Sequence, residues 1–498
     1  MDTDAERDPS ADLLAETTSL CPECLERVPG RYESREETVY LTRTCPDHGT
    51  ASRTVWGSRD HWEWARERDV EYDADGDLTV AGDHACLAIV EVTQDCNLSC
   101  SFCFAGSGPG GKQRAFEDVV ALLEVVEEEA GPRPIQFSGG EPTVRDDLPE
   151  LVEAAASRGF DHVQVNTNGI RIANEDGYAQ RLADAGVTAL YLQFDGLRPE
   201  TYEEIREVDL TEEKHRAIEA CREADLSVVL VPTIVPGVND DELGDVVRFG
   251  IENSDVVESI NFQPVAHFGR YGDENGRFPL DEVARRLAAQ LEGLDARDVR
   301  PVPCCSSYCQ MATALLPRDD GVVPLTQFLD DELLDSVAGM VDESDWMELL
   351  ANTTAGQTTA CSTADCCCGG DLGGTTDLLG SLAPEGAGGL LEDALPVSIT
   401  GFMDADAADA ERLENCCLSV PTPDGDLVPF CGYNMTTEDG DYAIRTREGW
   451  GGRPAVDEPV PDEPEPGGYS VEPARSPDTD GRVDGGGDAE PVDSSGDD

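Results

Sequence analysis

Cys96, Cys100 and Cys103 stand in the run Thr93-Gln-Asp-Cys-Asn-Leu-Ser-Cys-Ser-Phe-Cys-Phe104, spaced C-x3-C-x2-C. Three thiolates on one short loop hold three corners of a cubane iron–sulfur cluster and leave its fourth iron without a protein ligand. An open iron can chelate a small molecule and pass it an electron. A zinc knuckle would want a fourth Cys or His a few residues on, and none follows before His162. The run Ser138-Gly-Gly-Glu-Pro142 comes next, after the apolar stretch Ile135–Phe137. Gly139 and Gly140 let backbone approach a ligand closely at a strand end. The turn's carbonyls, with Glu141, can accept hydrogen bonds from a ligand ammonium, and Pro142 closes the motif. Asn166-Thr-Asn-Gly169 and Gln193-Phe-Asp-Gly196 end two further apolar stretches. They offer Asn166, Asn168, Gln193 and Asp195 as polar groups at a site mouth, although each run reads equally as a capped loop. Arg206 either pairs with a cofactor carboxylate or faces solvent on a helix.

Three further cysteine groups suit metals. Cys21 and Cys24 form C-x2-C, and Cys45 and His48 form C-x2-H after an alternating stretch, Thr38–Thr44. Two such pairs at the ends of a ribbon match a tetrahedral site for zinc, or for iron as in rubredoxin. His48 is the less secure ligand, because Asp47-His48-Gly49 also reads as a turn. Cys304, Cys305 and Cys309, with Cys416, Cys417 and Cys431, are candidates for an auxiliary 4Fe–4S cluster. Cys305, Cys309, Cys416 and Cys431 are the expected ligands, and redox-inert core thiols are the alternative. Cys361, Cys366, Cys367 and Cys368 form another tight group, while Cys86 and Cys221 stand alone as expected core residues.

A chain of 498 residues is long for a single domain. Residues 1–17 are expected to be disordered, 18–60 to form the metal ribbon and 61–84 a polar connector. From 85 to 295 strand and helix alternate. The strand candidates are Leu87–Val92, Ile135–Phe137, His162–Asn166, Ala189–Phe194, Ser227–Ile234 and Ser259–Pro264. The helix candidates between them are Ala115–Glu129, Leu148–Ser157, Gly177–Ala185, Leu210–Glu223 and Asp241–Glu252. This alternation predicts an α/β fold, a partial (β/α)6 barrel with its chemistry at the C-terminal strand ends. Residues 296–450 read as an irregular, Cys-rich C-terminal domain, interrupted by a Gly-rich piece at 369–389. Residues 451–498 read as a disordered acidic tail.

Acidic residues number 104 against 35 basic ones, a net charge of −69, and only Lys112 and Lys214 are lysines. Charge this negative argues against nucleic acid and anionic membranes as partners. Acids spread along the whole chain point to a halophilic cytosol. The first twenty residues lack an apolar signal segment, and no apolar run is long enough for a membrane span. Grouped cysteines suit metals in a reducing cytoplasm better than disulfides.

The motifs together resemble the radical S-adenosylmethionine (radical SAM) enzymes. The resemblance is closest to a branch holding archaeal tetraether lipid synthases and related pterin methylases, over residues ~20–436. It is carried by Cys21-Pro-Glu-Cys24 with Cys45-Pro-Asp-His-Gly49, Val92–Cys100, Leu192-Gln-Phe-Asp-Gly196 and Leu230-Val-Pro-Thr233 with Gly237-Val-Asn-Asp240. Asn261-Phe-Gln-Pro-Val265, Pro423-Asp-Gly and Pro429-Phe-Cys-Gly-Tyr-Asn434 complete the set. The resemblance implies that Cys96, Cys100 and Cys103 hold a SAM-binding 4Fe–4S cluster. It implies that residues 138–142 lie against the methionine amino group of SAM, with residues at the next two strand ends on its ribose and carboxylate. Reductive cleavage of SAM would yield a 5′-deoxyadenosyl radical that abstracts hydrogen from an unactivated C–H bond. An electron donor such as a ferredoxin is implied. The resemblance implies as substrate a lipid whose tails are joined, or a pterin ring that is methylated. The family's extra motif C-P-x2-C-G-L-C is missing, because Asp77–Cys86 holds one cysteine, so one auxiliary cluster is expected to be absent. Competing readings are a peptide or cofactor maturase and a non-catalytic iron–sulfur electron-transfer protein.

Overall fold

The computed structural model describes residues 11–68, 86–271, 276–302, 306–318, 321–328, 394–414, 416–437 and 440–445. The Gly-rich piece 369–389 and the tail 451–498 lie outside the described residues. So do Cys304, Cys305, Cys361, Cys366, Cys367 and Cys368.

The N-terminal ribbon is an antiparallel meander of β1 (Asp12–Leu20), β2 (Arg27–Arg35), β3 (Thr38–Cys45) and β4 (Gly49–Trp56). Its first strand corrects the expectation of disorder through residue 17. From Asp12 the chain pairs with β2, and Ser19 Oγ donates to Ala408 O at 2.5 Å. The expected connector is also partly ordered, because α1 (Arg59–Arg66) is capped by Ser58 and buries His61, Trp62 and Ala65.

The barrel strands are β5 (Leu87–Thr93), β6 (Ile135–Gly139), β7 (Val163–Thr167), β8 (Ala189–Gln193), β9 (Ser227–Val231), the two-residue β10 (Thr233–Ile234) and β11 (Val257–Pro264). Every neighbouring pair along β5–β6–β7–β8–β9–β11 is parallel. All seven residues of β5 are buried, as expected for a parallel strand covered on both faces. Helices α2 (Phe116–Ala130), α3 (Leu148–Ala156), α4 (Ile170–Asn174), α5 (Tyr178–Ala185), α6 (Pro199–Arg206), α7 (Thr211–Glu223), α8 (Leu243–Glu252) and α9 (Leu280–Gln290) follow in turn.

The C-terminal region is more regular than expected, and it belongs to the same sheet. After β12 (Arg300–Pro301) come β13 (Gln310–Arg318), β14 (Gly321–Pro324), β15 (Leu395–Thr400), β16 (Leu418–Pro421) and β17 (Leu427–Pro429). β15 pairs parallel to β11, and β16 pairs parallel to β5, so both edges of the open barrel are extended. The connection from Thr400 to Leu418, holding α10 (Ala410–Glu414), links the two flanks. α11 (Phe430–Asn434) follows. A second core joins them: Leu20 of the ribbon, Leu87 and Ile89 of β5, and Met403, Val420, Phe430 and Tyr433. No helix among the described residues is long and apolar enough to cross a membrane.

Candidate functional site

The loop that leaves β5 is held on all sides by backbone. Gln94 N donates to Lys112 O at 2.7 Å, and Cys96 N to Gly108 O at 3.2 Å. Cys103 forms a bridge with Arg270, whose guanidinium also donates to Cys100 O at 2.6 Å and Ser107 O at 2.9 Å. Tyr442 Oη donates to Phe104 O at 2.9 Å. The three thiols line one cavity of about 260 Å³ at the mouth of the barrel. Burial pushes the Cys96 and Cys100 thiols up; Glu141 adds to the shift at Cys96, whereas Arg206 opposes it at Cys100. Thiolates gathered in such a place need a metal to hold the charge. Among the described residues only the ribbon set has three or more donors all within 4.8 Å of one another.

Ser138, Gly139, Gly140, Glu141 and Pro142 sit beside this loop. Gly139 has φ +134°, and a Cβ there would lie 2.1 Å from Thr93 O; a Cβ on Gly140 would lie 2.2 Å from Asp95 O. Gly140 N donates to Thr93 O at 2.7 Å, and Glu141 N to Asp95 O at 2.8 Å. The glycines thus weld the turn to the cysteine loop. Glu141 is not a free acceptor. Its carboxylate takes Thr143 N (3.0 Å), Thr143 Oγ1 (2.6 Å), Thr167 Oγ1 (2.7 Å) and Asn168 N (2.6 Å). It acts as a buried strut between the ends of β6 and β7, and the turn's carbonyls are what remain for a ligand.

Asn166 and Asn168 line the cavity, but only Asn166 has a lightly held amide, donating to Ser138 Oγ at 3.4 Å. Asn168 donates to Asn97 Oδ1 at 2.7 Å and accepts from Ile170 N at 3.0 Å. Arg206 is committed to Asp195 through two bonds of 2.7 and 2.8 Å, and it reaches the Cys100 thiol. Burial opposes its charge, but Asp195 and Cys100 outweigh this and hold it cationic. Its guanidinium is therefore engaged by Asp195 and faces the Cys100 thiol, and it is not a spare partner for a carboxylate. Gln193 donates to Asp195 and accepts from Lys214 Nζ at 3.0 Å. Lys214 is 1% exposed and also donates to Asn168 O at 2.5 Å. Burial drives its pKa down to about 7. Sequence reasoning passed over Lys214, because Thr-Glu-Glu-Lys-His-Arg looks like a solvent-facing helix start.

Four C-terminal thiols, Cys309, Cys416, Cys417 and Cys431, line the same cavity. Cys305, expected with them, lies outside the described residues. Arg412 donates to Cys309 Sγ at 3.0 Å, and to Tyr308 O and Gly401 O at 2.7 and 2.9 Å. Burial pushes Cys309 up to about 11, while Arg412 pulls against it. A contact between Cys416 and Cys431 lowers the first and raises the second. The donor set suits a second thiolate-bound cluster. Cys86 and Cys221 are fully buried, as expected.

In the ribbon, Cys24 and Cys45 sulfurs are 4.0 Å apart, and His48 Nδ1 lies 3.4 Å from both Cys21 and Cys45 sulfurs. A tetrahedral zinc at ~2.3 Å from sulfur and ~2.0 Å from nitrogen sets its donors about 3.5–3.8 Å apart. The four side chains fit such an ion, and His48 points inward with them. Backbone N–H groups of Asp47 and His48 pull the Cys45 pKa down to about 7, toward the thiolate that binds metal.

Residues 90–250 match the family model of the radical SAM superfamily, and residues 13–57 match that of the HMPTM N-terminal zinc ribbon domain. The chain is 33% identical over 470 residues to 7,8-dihydro-6-hydroxymethylpterin dimethyltransferase of Methanocaldococcus jannaschii, covering 84% of this chain and 93% of that protein. It is 27% identical over 266 residues to a probable GTP 3′,8-cyclase of Methanothermobacter marburgensis, covering 50% and 86%. Streptococcus suis SuiB bound to S-adenosylmethionine has 17% identity and a TM-score of 0.35, over 41% of this chain and 46% of that one.

Proposed function

We infer, from the premise that this chain belongs to the radical SAM superfamily and to the family of the pterin dimethyltransferase, that it methylates a pterin-type ring at an unactivated C–H position. The observation that carries this is the chemistry of the barrel wall. Inward positions of β6, β7, β8 and β11 place Gln136, Asn166, Tyr191, Gln193, Asn261 and Gln263 on the cavity. Amides and a phenol among apolar neighbours suit an uncharged heterocycle with polar edges. A nucleoside triphosphate would need free cations, whereas both arginines on the cavity are engaged, Arg206 by Asp195 and Arg412 by Cys309.

Cys96, Cys100 and Cys103 would hold the 4Fe–4S cluster. The backbone of residues 138–142, with Asn166 and Gln193, would hold SAM, and Asn168, Asp195 and Arg206 would fix that surface from behind. When bound, the cluster and SAM supply a 5′-deoxyadenosyl radical able to take hydrogen from such a C–H bond. The protein's part is orientation and exclusion of water, which Leu98, Phe102 and Phe104 serve around the loop. Cys309, Cys416 and Cys431, with Cys305, would hold the auxiliary cluster, and Cys21, Cys24, Cys45 and His48 a zinc or iron. A ferredoxin-type reductant in a cytoplasm of high salt completes the setting.

The test is anaerobic turnover of reconstituted protein with SAM, a strong reductant, a panel of one-carbon donors and 6-hydroxymethyl-7,8-dihydropterin. The expected products are 5′-deoxyadenosine and a pterin heavier by one or two methylene units. Formation of 5′-deoxyadenosine with the pterin left unmodified, in the presence of candidate one-carbon donors, would overturn the pterin reading.

A further inference from the structure

A line of hydrogen bonds runs through the barrel interior and ends on the cavity. Gln136 of β6 and Gln164 of β7 are register partners on neighbouring strands. Gln136 Nε2 donates to Gln164 Oε1 at 3.0 Å. Gln164 Nε2 lies 3.2 Å from His162 Nε2, and His162 Nδ1 lies 3.1 Å from Thr188 Oγ1. Thr188 Oγ1 in turn donates to Val163 O at 3.1 Å. All three ring and amide side chains are more than nine-tenths buried: Gln136 is 4% exposed, Gln164 0% and His162 6%.

The directions along this line are set from its far end, where Thr188 Oγ1 gives its one proton to Val163 O and so accepts from His162 Nδ1. Gln164 spends its oxygen on Gln136, so its NH2 must be the donor toward His162. His162 Nε2 must then be the lone-pair nitrogen, and Nδ1 carries the proton that goes to Thr188. At the other end Gln136 Nε2 donates to Gln164. One N–H is spent there, which turns the amide nitrogen toward the line and Oε1 away from it, and Gln136 lines the cavity. A Gln at this place without the line behind it could turn either face to a ligand. With the line, it presents an acceptor.

We propose that Gln136 is a specificity-determining residue that accepts an N–H of the substrate's heterocycle, and that His162 and Gln164 are positioning residues that hold it as an acceptor. The ligand class is a neutral ring with an N–H edge, such as the lactam or amino group of a pterin. This rests on the functional reading above and adds the atom that recognises the ring. Sites built to hydrogen-bond a donor reject analogues that lack it, because the buried acceptor is left unpaired.

The test measures binding of 6-hydroxymethyl-7,8-dihydropterin, and of its N3-methyl and N2-dimethyl analogues, to the cluster-loaded protein. In the wild type one of the two methylated analogues should bind about 10- to 100-fold more weakly than the parent. In Gln136→Met the parent should fall to the level of that analogue, with the difference between them erased. His162→Leu should weaken parent binding as well, and His162→Gln, whose oxygen can replace Nε2 as the acceptor, should restore it. Equal binding of the parent to wild type and Gln136→Met would overturn the proposal and leave the pterin reading standing. So would a full loss in His162→Gln equal to that in His162→Leu. No binding of the parent by the wild type would overturn the pterin reading itself, and the proposal with it.

Discussion

Lys214 shows how a single buried cation shapes the cofactor mouth. Its ammonium braces the ends of β7 and β8 by donating to Asn168 O and Gln193 Oε1. Burial takes its pKa from an ordinary 10.5 to about 7. Below pH 7 folded and unfolded chains both carry the proton. From there to the unperturbed lysine value the unfolded chain binds a proton that the folded chain lacks, so stability rises with pH through that window. Lys214→Met should remove this rise, read as the difference between wild-type and variant melting curves from pH 7 to pH ~10. A parallel dependence in both would show that Lys214 titrates normally. The two glycines of the turn permit a second prediction. With Cβ atoms 2.1 and 2.2 Å from carbonyl oxygens, Gly139→Ala or Gly140→Ala must push the turn off the cluster loop. SAM affinity should drop about tenfold or more, on the scale of an overpacked core, while the cluster's visible absorbance persists. Unchanged SAM binding would refute the assignment of this turn.

At the scale of elements, the ribbon is a buttress. Tyr32 Oη donates to Asp409 Oδ2 at 2.6 Å, and the Arg43 guanidinium donates to Asp406 O at 2.6 Å. The Tyr32 ring stacks on Tyr308 at 5.3 Å between centroids, with Trp56 edge-on at 5.4 Å. Tyr308 precedes Cys309, so a folded ribbon keeps that part of the cavity wall in place. Cys24→Ser removes an exposed thiol and little packing, so its effect reports the metal. The expected result is a fall of several degrees in melting temperature and a red shift of tryptophan emission, as Trp56 and Trp62 lose their cover. Unaltered emission in the metal-free variant would separate the ribbon's fold from its metal. The barrel elements were legible because buried parallel strands are short apolar runs, such as Ser227–Val231, between amphipathic helices. Their bounds fall within two residues of expectation except at Ser227–Ile234, which breaks at Pro232 into β9 and β10. β13, β15 and β16 were not legible, since their pairings reach across long stretches of sequence that local periodicity does not span. α6 was missed because Pro-Glu-Thr-Tyr-Glu-Glu-Ile-Arg reads as polar. The cysteine loop and the glycine turn were plain at the level of residues. The amide wall was visible as a period of two, Gln136 and Ser138, Gln164 and Asn166, Asn261 and Gln263, but its meaning needed the strands closed into a barrel.

For the molecule as a whole, charge decides the conditions of stability. With 104 acidic and 35 basic residues, at least 69 carboxylates have no cation to pair with. The arginines are already used: Arg198 on Asp241, Arg222 on Asp255 and Arg158 on Glu124 are all partly exposed pairs. Salt weakens each such pair, but a pair of this kind contributes only ~0–1 kcal/mol. It also screens repulsion among the surplus carboxylates, since the Debye length shrinks from ~10 Å at 0.1 M to ~3 Å at 1 M. The surplus outnumbers the pairs, so screening of repulsion wins. Melting temperature should therefore climb on the order of 10 °C between low salt and molar KCl, an increment of a few kcal/mol for a chain of this size. A melting temperature that falls with KCl would mean that the ion pairs dominate and that a salt-rich cytosol is not this protein's setting.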